Sequence, residues 1–281
     1  MQYIKIKSYA KINLALNIIG KSASLHKIET IVSFVSLHDE IYIKKINSNE
    51  NDILFTGQFS KNIGNTNTVS KLFEILEKKK LLNNKKFKIR IKKKIPNRAG
   101  LGGGSMNAAF ILNYFQRRGI IKINKKKLFE ITRLIGSDVI LGLNSSKCIK
   151  NSKNQIKRFK KCKNFHILIV KPNFGCSTKE IYSKVKKFDK AQFNKPVKKM
   201  FDIDFLTKIG NSLEKIAFLK FPKLRSIKFF LENLSNPIFV RMTGSGSALV
   251  AYFQSKKKCD NAKKKFNRKY KNCWCITSKT I

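Results

Sequence analysis

Acidic residues are scarce in this chain: 16 Asp and Glu stand against 61 Lys and Arg in 281 residues, a formal net charge of +45. Proline (5), glycine (14), tryptophan (1) and histidine (3) are also few. The six cysteines, Cys148, Cys162, Cys176, Cys259, Cys273 and Cys275, contain no C-x-x-C pair. With only scattered histidines beside them, a zinc site is not expected, and reduced structural thiols in a cytoplasm are. No apolar run approaches the length of a membrane span, and the first twenty residues lack a signal peptide's apolar block, so the expected localisation is cytoplasmic. Internal repeats and heptad runs are absent. The shortage of acids would in most proteins announce nucleic acid. Here the basic residues are mostly Lys, spread end to end and accompanied by abundant Ile, Asn and Phe, as in a genome drifting toward A and T. A localised binding face is not expected.

What is present suits a large core. Hydrophobic residues make up 42% with 22 Phe, and 281 residues accommodate two ordinary domains. The most informative run is Pro96-Asn97-Arg98-Ala99-Gly100-Leu101-Gly102-Gly103-Gly104-Ser105-Met106-Asn107-Ala108-Ala109, which puts four of the 14 glycines in five positions. Upstream, Phe87-Lys88-Ile89-Arg90-Ile91 alternates as a strand with one buried face. Downstream, Ala108, Ala109, Ile111, Leu112 and Phe115 recur at helical spacing. Strand, glycine loop and helix together form an anion cradle: bare backbone N–H groups turn toward one ligand, and the helix start adds unpaired donors and a positive dipole end. The run is not a Walker loop, since no Gly-Lys-Ser/Thr follows, nor a dinucleotide fingerprint.

Other stretches are weaker alone. Ile12, Leu14, Leu16 and Ile18 alternate with Lys11, Asn13, Ala15 and Asn17, a strand with Lys11 and Asn13 on its polar face. A turn is expected at Gly20 to His26. Residues 50 to 66 read as loop with a short hairpin, and Asn67 or Thr68 as the N-cap of a following helix. The polar segment Asn151 to Phe159 reads as the domain junction, giving domains 1–155 and 156–281. His166 to Val170 is a buried strand, residues 186 to 235 are helices with a charged exterior, and Gly244-Ser245-Gly246 is a turn between strands.

Taken together, P-x-x-x-G-L-G-G-G-S-x-N-A-A, Ser8-Tyr9-Ala10-Lys11-Ile12-Asn13-Leu14, Gly136-Ser137-Asp138-Val139 and Arg241-Met242-Thr243-Gly244-Ser245-Gly246-Ser247 resemble, in order, the signatures of the GHMP kinases (galactokinase, homoserine kinase, mevalonate kinase and relatives). The resemblance implies an α+β, two-domain GHMP kinase fold with the active site in the interdomain cleft. It implies ATP and Mg²⁺ as cofactors, with no metal ligands assigned among protein side chains. Lys11 and Asp138 become catalytic; Asn67, Pro96, Gly100, Leu101, Gly102, Gly103, Gly104 and Ser105 bind ATP. Asn13, His26, Thr178, Tyr182, Thr243, Gly244 and Ser245 bind the acceptor. Gly-Leu-Gly-Gly-Gly-Ser-x-Asn-Ala-Ala, Ala-Lys-Ile-Asn-Leu and His26 are similar to the branch whose small-molecule acceptor is 4-diphosphocytidyl-2-C-methyl-D-erythritol, phosphorylated on its 2-hydroxyl in non-mevalonate isoprenoid synthesis by a monomer or homodimer. There the family carries an aromatic where Leu25 stands and a second serine where Met106 stands. The rivals are a homoserine or mevalonate type of GHMP kinase and a basic RNA-binding protein on a related fold.

Overall fold

The computed structural model describes residues 2–22 and 25–281. In chain order the elements are β1 (Ile4–Ser22), β2 (Leu25–Ile46), β3 (Asp52–Thr56), α1 (Thr68–Lys78), β4 (Lys86–Lys92), α2 (Gly103–Arg117), α3 (Lys125–Ile135), β5 (Lys147–Lys150), β6 (Ile156–Phe159) and β7 (His166–Lys171). There follow α4 (Thr178–Ser183), α5 (Ile203–Lys208), α6 (Glu214–Lys220), α7 (Pro222–Glu232), β8 (Phe239–Met242), β9 (Leu249–Phe253), α8 (Lys256–Lys269) and β10 (Trp274–Lys279). This is a mixed α and β architecture on two sheets. Two compact units share the chain: residues 1–10, 37–97 and 102–145 form the first, and residues 11–36, 98–101 and 146–281 the second.

In the first unit, β4 pairs antiparallel with the 40–46 end of β2 and parallel with β3. Phe87, Ile89 and Ile91 of β4 are buried while the intervening basic residues stay outside, as the alternation dictates. Helices α1, α2 and α3 cover that face through Val69, Leu72, Phe73, Leu76, Ile111, Leu112, Phe115 and Ile131. The hairpin expected within residues 50–66 does not form. Asp52–Thr56 is instead a strand parallel to β4, reached from β3 by a crossover through α1.

In the second unit, β10, β7, β9 and β8 form an antiparallel sheet in that order. Continuous apolar runs in β7 and β9 are buried on both faces. Helices α7 and α8 give Leu224, Ile227, Leu231, Cys259, Ala262 and Phe266 to its core. The 30–32 part of β2 pairs with β5, and β5 with β6. The polar stretch Asn151 to Phe159, expected as a junction, is thus the turn and second strand of a hairpin inside this unit. Asn151 Oδ1 accepts from Lys153 N and Gln155 N, and Asn154 takes φ +60°. Residues 186–197, expected to be helical, run without regular structure instead. Buried Glu29 anchors them by accepting from Gln192 N (2.7 Å) and Phe193 N (3.0 Å).

Ala23 and Ser24 lie outside the described residues, as does the side chain of Leu25. The turn expected at Gly20–His26 is therefore seen only through its flanks, which are strand to Ser22 and again from Leu25. All six cysteines are free thiols.

Candidate active site

The first unit brings two helix starts together. Asn67 caps α1: its Oδ1 accepts from Val69 N (2.9 Å) and Ser70 N (3.1 Å), while Ser70 Oγ accepts from Asn67 N. This reciprocal box contributes about 1 kcal/mol. The glycine loop caps α2 by backbone alone, Gly102 taking φ +70° and offering no side chain. The first intrahelical bond is Met106 N to Gly102 O (2.8 Å), so the amides of Gly103, Gly104 and Ser105 lie ahead of it.

Glycine lets the loop approach its neighbours closely here. A Cβ at Gly104 would meet Thr68 Oγ1 at 2.9 Å, and one at Gly103 would meet Ile95 Cγ2 at 3.0 Å and Lys93 Nζ at 3.2 Å. The N-termini of α1 and α2 therefore sit side by side, neither carrying an acid in its first turn. Two positive dipole ends thus converge, the amides of α1 taken up by Asn67 and those at the start of α2 left bare, an arrangement that suits an anion.

Beneath the loop is a charge that sequence reasoning passed over. Lys93 and Asp39 are 2% and 0% exposed and form an ion pair. Asp39 also accepts from Lys94 N, Ile95 N and Asn107 Nδ2, at 2.7, 2.9 and 3.1 Å. The carboxylate thus ties the end of β4 to the first turns of α2. The available signal was Asn107, a polar residue on the apolar face of its helix. Met106, the serine replacement, is fully buried and its sulfur lies 2.9 Å from where a Gly142 Cβ would be. It packs α2 against the turn at Gly142.

Asp138 heads a short 3-10 turn, Val139–Leu143, and is partly exposed. That turn lies against α2: Gly142 leaves room for Ala109 and Met106, and a Cβ on Gly136 would stand 4.0 Å from Ser105 Oγ. Asn67, Gly102 to Ser105 and the Asp138 turn are thereby gathered in one unit. Pro96 is buried at the loop's entry.

The second unit holds the other candidates. Lys11 and Asn13 are each only 3% exposed, so the face of β1 expected to be merely polar is a buried one. Residues 10–18 are covered on both sides, which alternation alone does not reveal. Lys11 Nζ donates to Asn13 Oδ1 (2.7 Å), and Asn13 Nδ2 donates to Thr30 Oγ1 (2.9 Å). Asn13 N donates to Thr243 Oγ1 (3.0 Å), which donates onward to Gly100 O (3.1 Å). Lys11 N donates to the carbonyl of Leu101, whose side chain is buried (3.0 Å). Gly100 and Gly244 have φ +71° and +55°, and a Cβ on Gly100 would fall 1.9 Å from Thr243 O.

Thr178 opens α4, which Ser177 and not Thr178 caps; its hydroxyl lies 3.0 Å from Ser245 Oγ. The rings of His26 and Tyr182 are 5.2 Å apart and tilted by 51°. Burial first, then the charge of Lys21, holds the His26 imidazole below its ordinary pKa. The shift favours the neutral ring, which has one donor and one acceptor nitrogen.

Among the described residues no group of three His, Cys, Asp or Glu is placed to hold a metal ion, and no helix is long and apolar enough to cross a membrane. Residues 67–148 match the profile of the GHMP kinase N-terminal domain. The chain is 56% identical over 281 residues, all of both chains, to 4-diphosphocytidyl-2-C-methyl-D-erythritol kinase of Pelagibacter ubique (strain HTCC1062). Its fold resembles the crystal structure of a 4-(cytidine 5'-diphospho)-2C-methyl-D-erythritol kinase, with TM-score 0.77 at 23% identity over 98% of this chain and 99% of that one. A homoserine kinase from Cytophaga hutchinsonii also shares the fold, with TM-score 0.74 at 15% identity over 100% of this chain and 95% of that one.

Proposed function

The chain belongs to the 4-diphosphocytidyl-2-C-methyl-D-erythritol kinases, within the GHMP kinases, and we propose that it transfers the terminal phosphoryl group of ATP to the 2-hydroxyl of 4-diphosphocytidyl-2-C-methyl-D-erythritol. Family membership makes it an ATP-dependent kinase acting on a small molecule. The acceptor and the residue roles are our reading. The observation that carries it is the pair of helix starts at Asn67 and Gly102, packed so closely that a Cβ on Gly104 would press on the Thr68 hydroxyl at 2.9 Å.

In this reading the amides of Gly103, Gly104 and Ser105 hold the ATP phosphates, and the buried Lys93–Asp39 pair braces the loop that carries them. Pro96, Gly100, Leu101 and Gly102 shape the loop. Asn67 is fully used as a cap, and any contact to adenine comes from its surroundings as much as from its own amide. Magnesium bound with the phosphates would neutralise their charge; the hydroxyl of Thr68 lies beside Gly104 and that of Ser105 toward Gly136. Asp138 receives or orients the proton of the acceptor hydroxyl, and Lys11 stabilises charge on the oxygens in flight. His26 and Tyr182 take the cytosine, while Asn13, Thr178, Thr243, Gly244 and Ser245 line the acceptor side.

A homoserine kinase and a mevalonate kinase each resemble this chain in fold at 15% identity, whereas the 56% relative carries the cytidylyl name. A coupled ADP-release assay offering the cytidylyl substrate, homoserine and mevalonate in turn tests the choice. Turnover with the first alone is expected. Turnover with either of the others and none with the first would overturn the reading.

A further inference from the structure

We infer that Thr30 is a positioning residue that fixes the Asn13 carboxamide and, through it, the ammonium of Lys11; this rests on the catalytic role given to Lys11 above. The argument is one of donors and acceptors. Lys11, Asn13 and Ala15 are alternate residues of β1 and share a face. Thr30 stands on β2, whose Thr30–Val32 stretch is buried and paired to β5. A threonine hydroxyl has one proton, and that of Thr30 goes to Ala15 O at 2.6 Å. Toward Asn13 it therefore presents a lone pair only, so the group facing it at 2.9 Å is the amide NH₂.

The consequence falls on the other end of the carboxamide. With its NH₂ committed to Thr30, Asn13 turns its Oδ1 toward Lys11, whose ammonium has only protons to give and sits 2.7 Å away. Asn13 and Thr30 are 3% and 2% exposed, so bulk water cannot substitute for either partner. Thr243 does not duplicate the device, because its hydroxyl lies toward the backbone N and Oδ1 of Asn13. Only Thr30 reads the NH₂ side. Without that acceptor the amide keeps only the Lys11 ammonium to tell its two ends apart and loses the anchor on its NH₂ side, so that Oδ1 is no longer held in place for Lys11.

Thr30→Val keeps the shape and removes the hydroxyl. The expected result is a kcat lower by roughly 10- to 100-fold with the KM for ATP unchanged within about twofold, by analogy with removal of one preorganised hydrogen-bond donor. Thr30→Ser, which restores the hydroxyl, regains most of the lost turnover. In an Asn13→Ala background Thr30→Val lowers kcat no further, because the two act as one unit. If Thr30→Val does not fold, Thr30→Ala carries the same comparison against Thr30→Ser. Full turnover in the hydroxyl-free variant, or a loss as large with Asn13 already removed, overturns the inference alone. Absence of cytidylyl-dependent turnover in the wild type overturns the functional reading and this inference with it.

Discussion

Replacing Gly100 by alanine tests the close approach of the glycine loop to the Thr243 turn, and Gly119→Ala is its internal control. Both glycines have left-handed backbones, φ +71° and +66°, so each alanine carries the same dihedral strain of about 1–2 kcal/mol. They differ in what the new methyl meets. At Gly119, beyond the end of α2, nothing lies within 4 Å; at Gly100 the Thr243 carbonyl oxygen lies at 1.9 Å and its carbon at 2.8 Å. Reaching ordinary contact requires that backbone to retreat by about 1.5 Å, and overpacking of this kind costs about 1–3 kcal/mol beyond the strain. Gly100→Ala is therefore expected to lose about 2 kcal/mol more than Gly119→Ala in urea unfolding. Retreat of Thr243 also breaks its bonds to Asn13 N and Gly100 O, so turnover in the coupled assay should fall by about two orders of magnitude. Equal stability losses in the two variants, with turnover kept, would refute the reasoning.

Other outcomes follow from the same geometry. Asp39→Ala strands the buried Lys93 ammonium and should cost about 3–5 kcal/mol in urea unfolding; a loss below about 1 kcal/mol would mean the pair does not hold the loop. Glu40 is held at about 2 by its bonds to Lys5 and then Lys94, and Asp52 at about 2 by Arg90. Their folded pKa values are depressed, so the stability they contribute is present above the unfolded values of 4.5 and 3.8 and is lost as pH falls toward 2. Arg90→Met should flatten that acid limb in urea midpoints taken between pH 5 and 2.5. Because His26 is depressed below 6.5, the KM for the cytidylyl substrate should stay flat from pH 8 down through 6.5 and rise only below it. His26→Ala should abolish the rise, and an unchanged profile in that variant would remove His26 from base recognition.

Much of this was legible in the residues themselves. The glycine run announced a helix start because a strand period preceded it and a helical period followed, and Asn67 announced a cap by position. Lys11 shows the limit of such reasoning. Alternation told which residues share a face with Asn13, but burial of that face depends on elements distant in sequence, among them Thr30 and Thr243. Strand β3 was hidden because its pairing is parallel and is completed only after a helix and about thirty residues of chain. Asp39 and Lys93 were hidden for another reason: in a chain with 61 basic residues one lysine carries no information until burial singles it out. The segment after Asn151 looked like a junction because hairpin turns and interdomain linkers draw on the same polar residues.

The most direct test of the proposed chemistry is Asp138→Asn, which keeps the shape of the side chain and removes its capacity to take a proton. The account predicts that ATP binding, read by nucleotide fluorescence or calorimetry, stays within about twofold while turnover on 4-diphosphocytidyl-2-C-methyl-D-erythritol drops by at least about 100-fold. Wild-type turnover in that variant would contradict it.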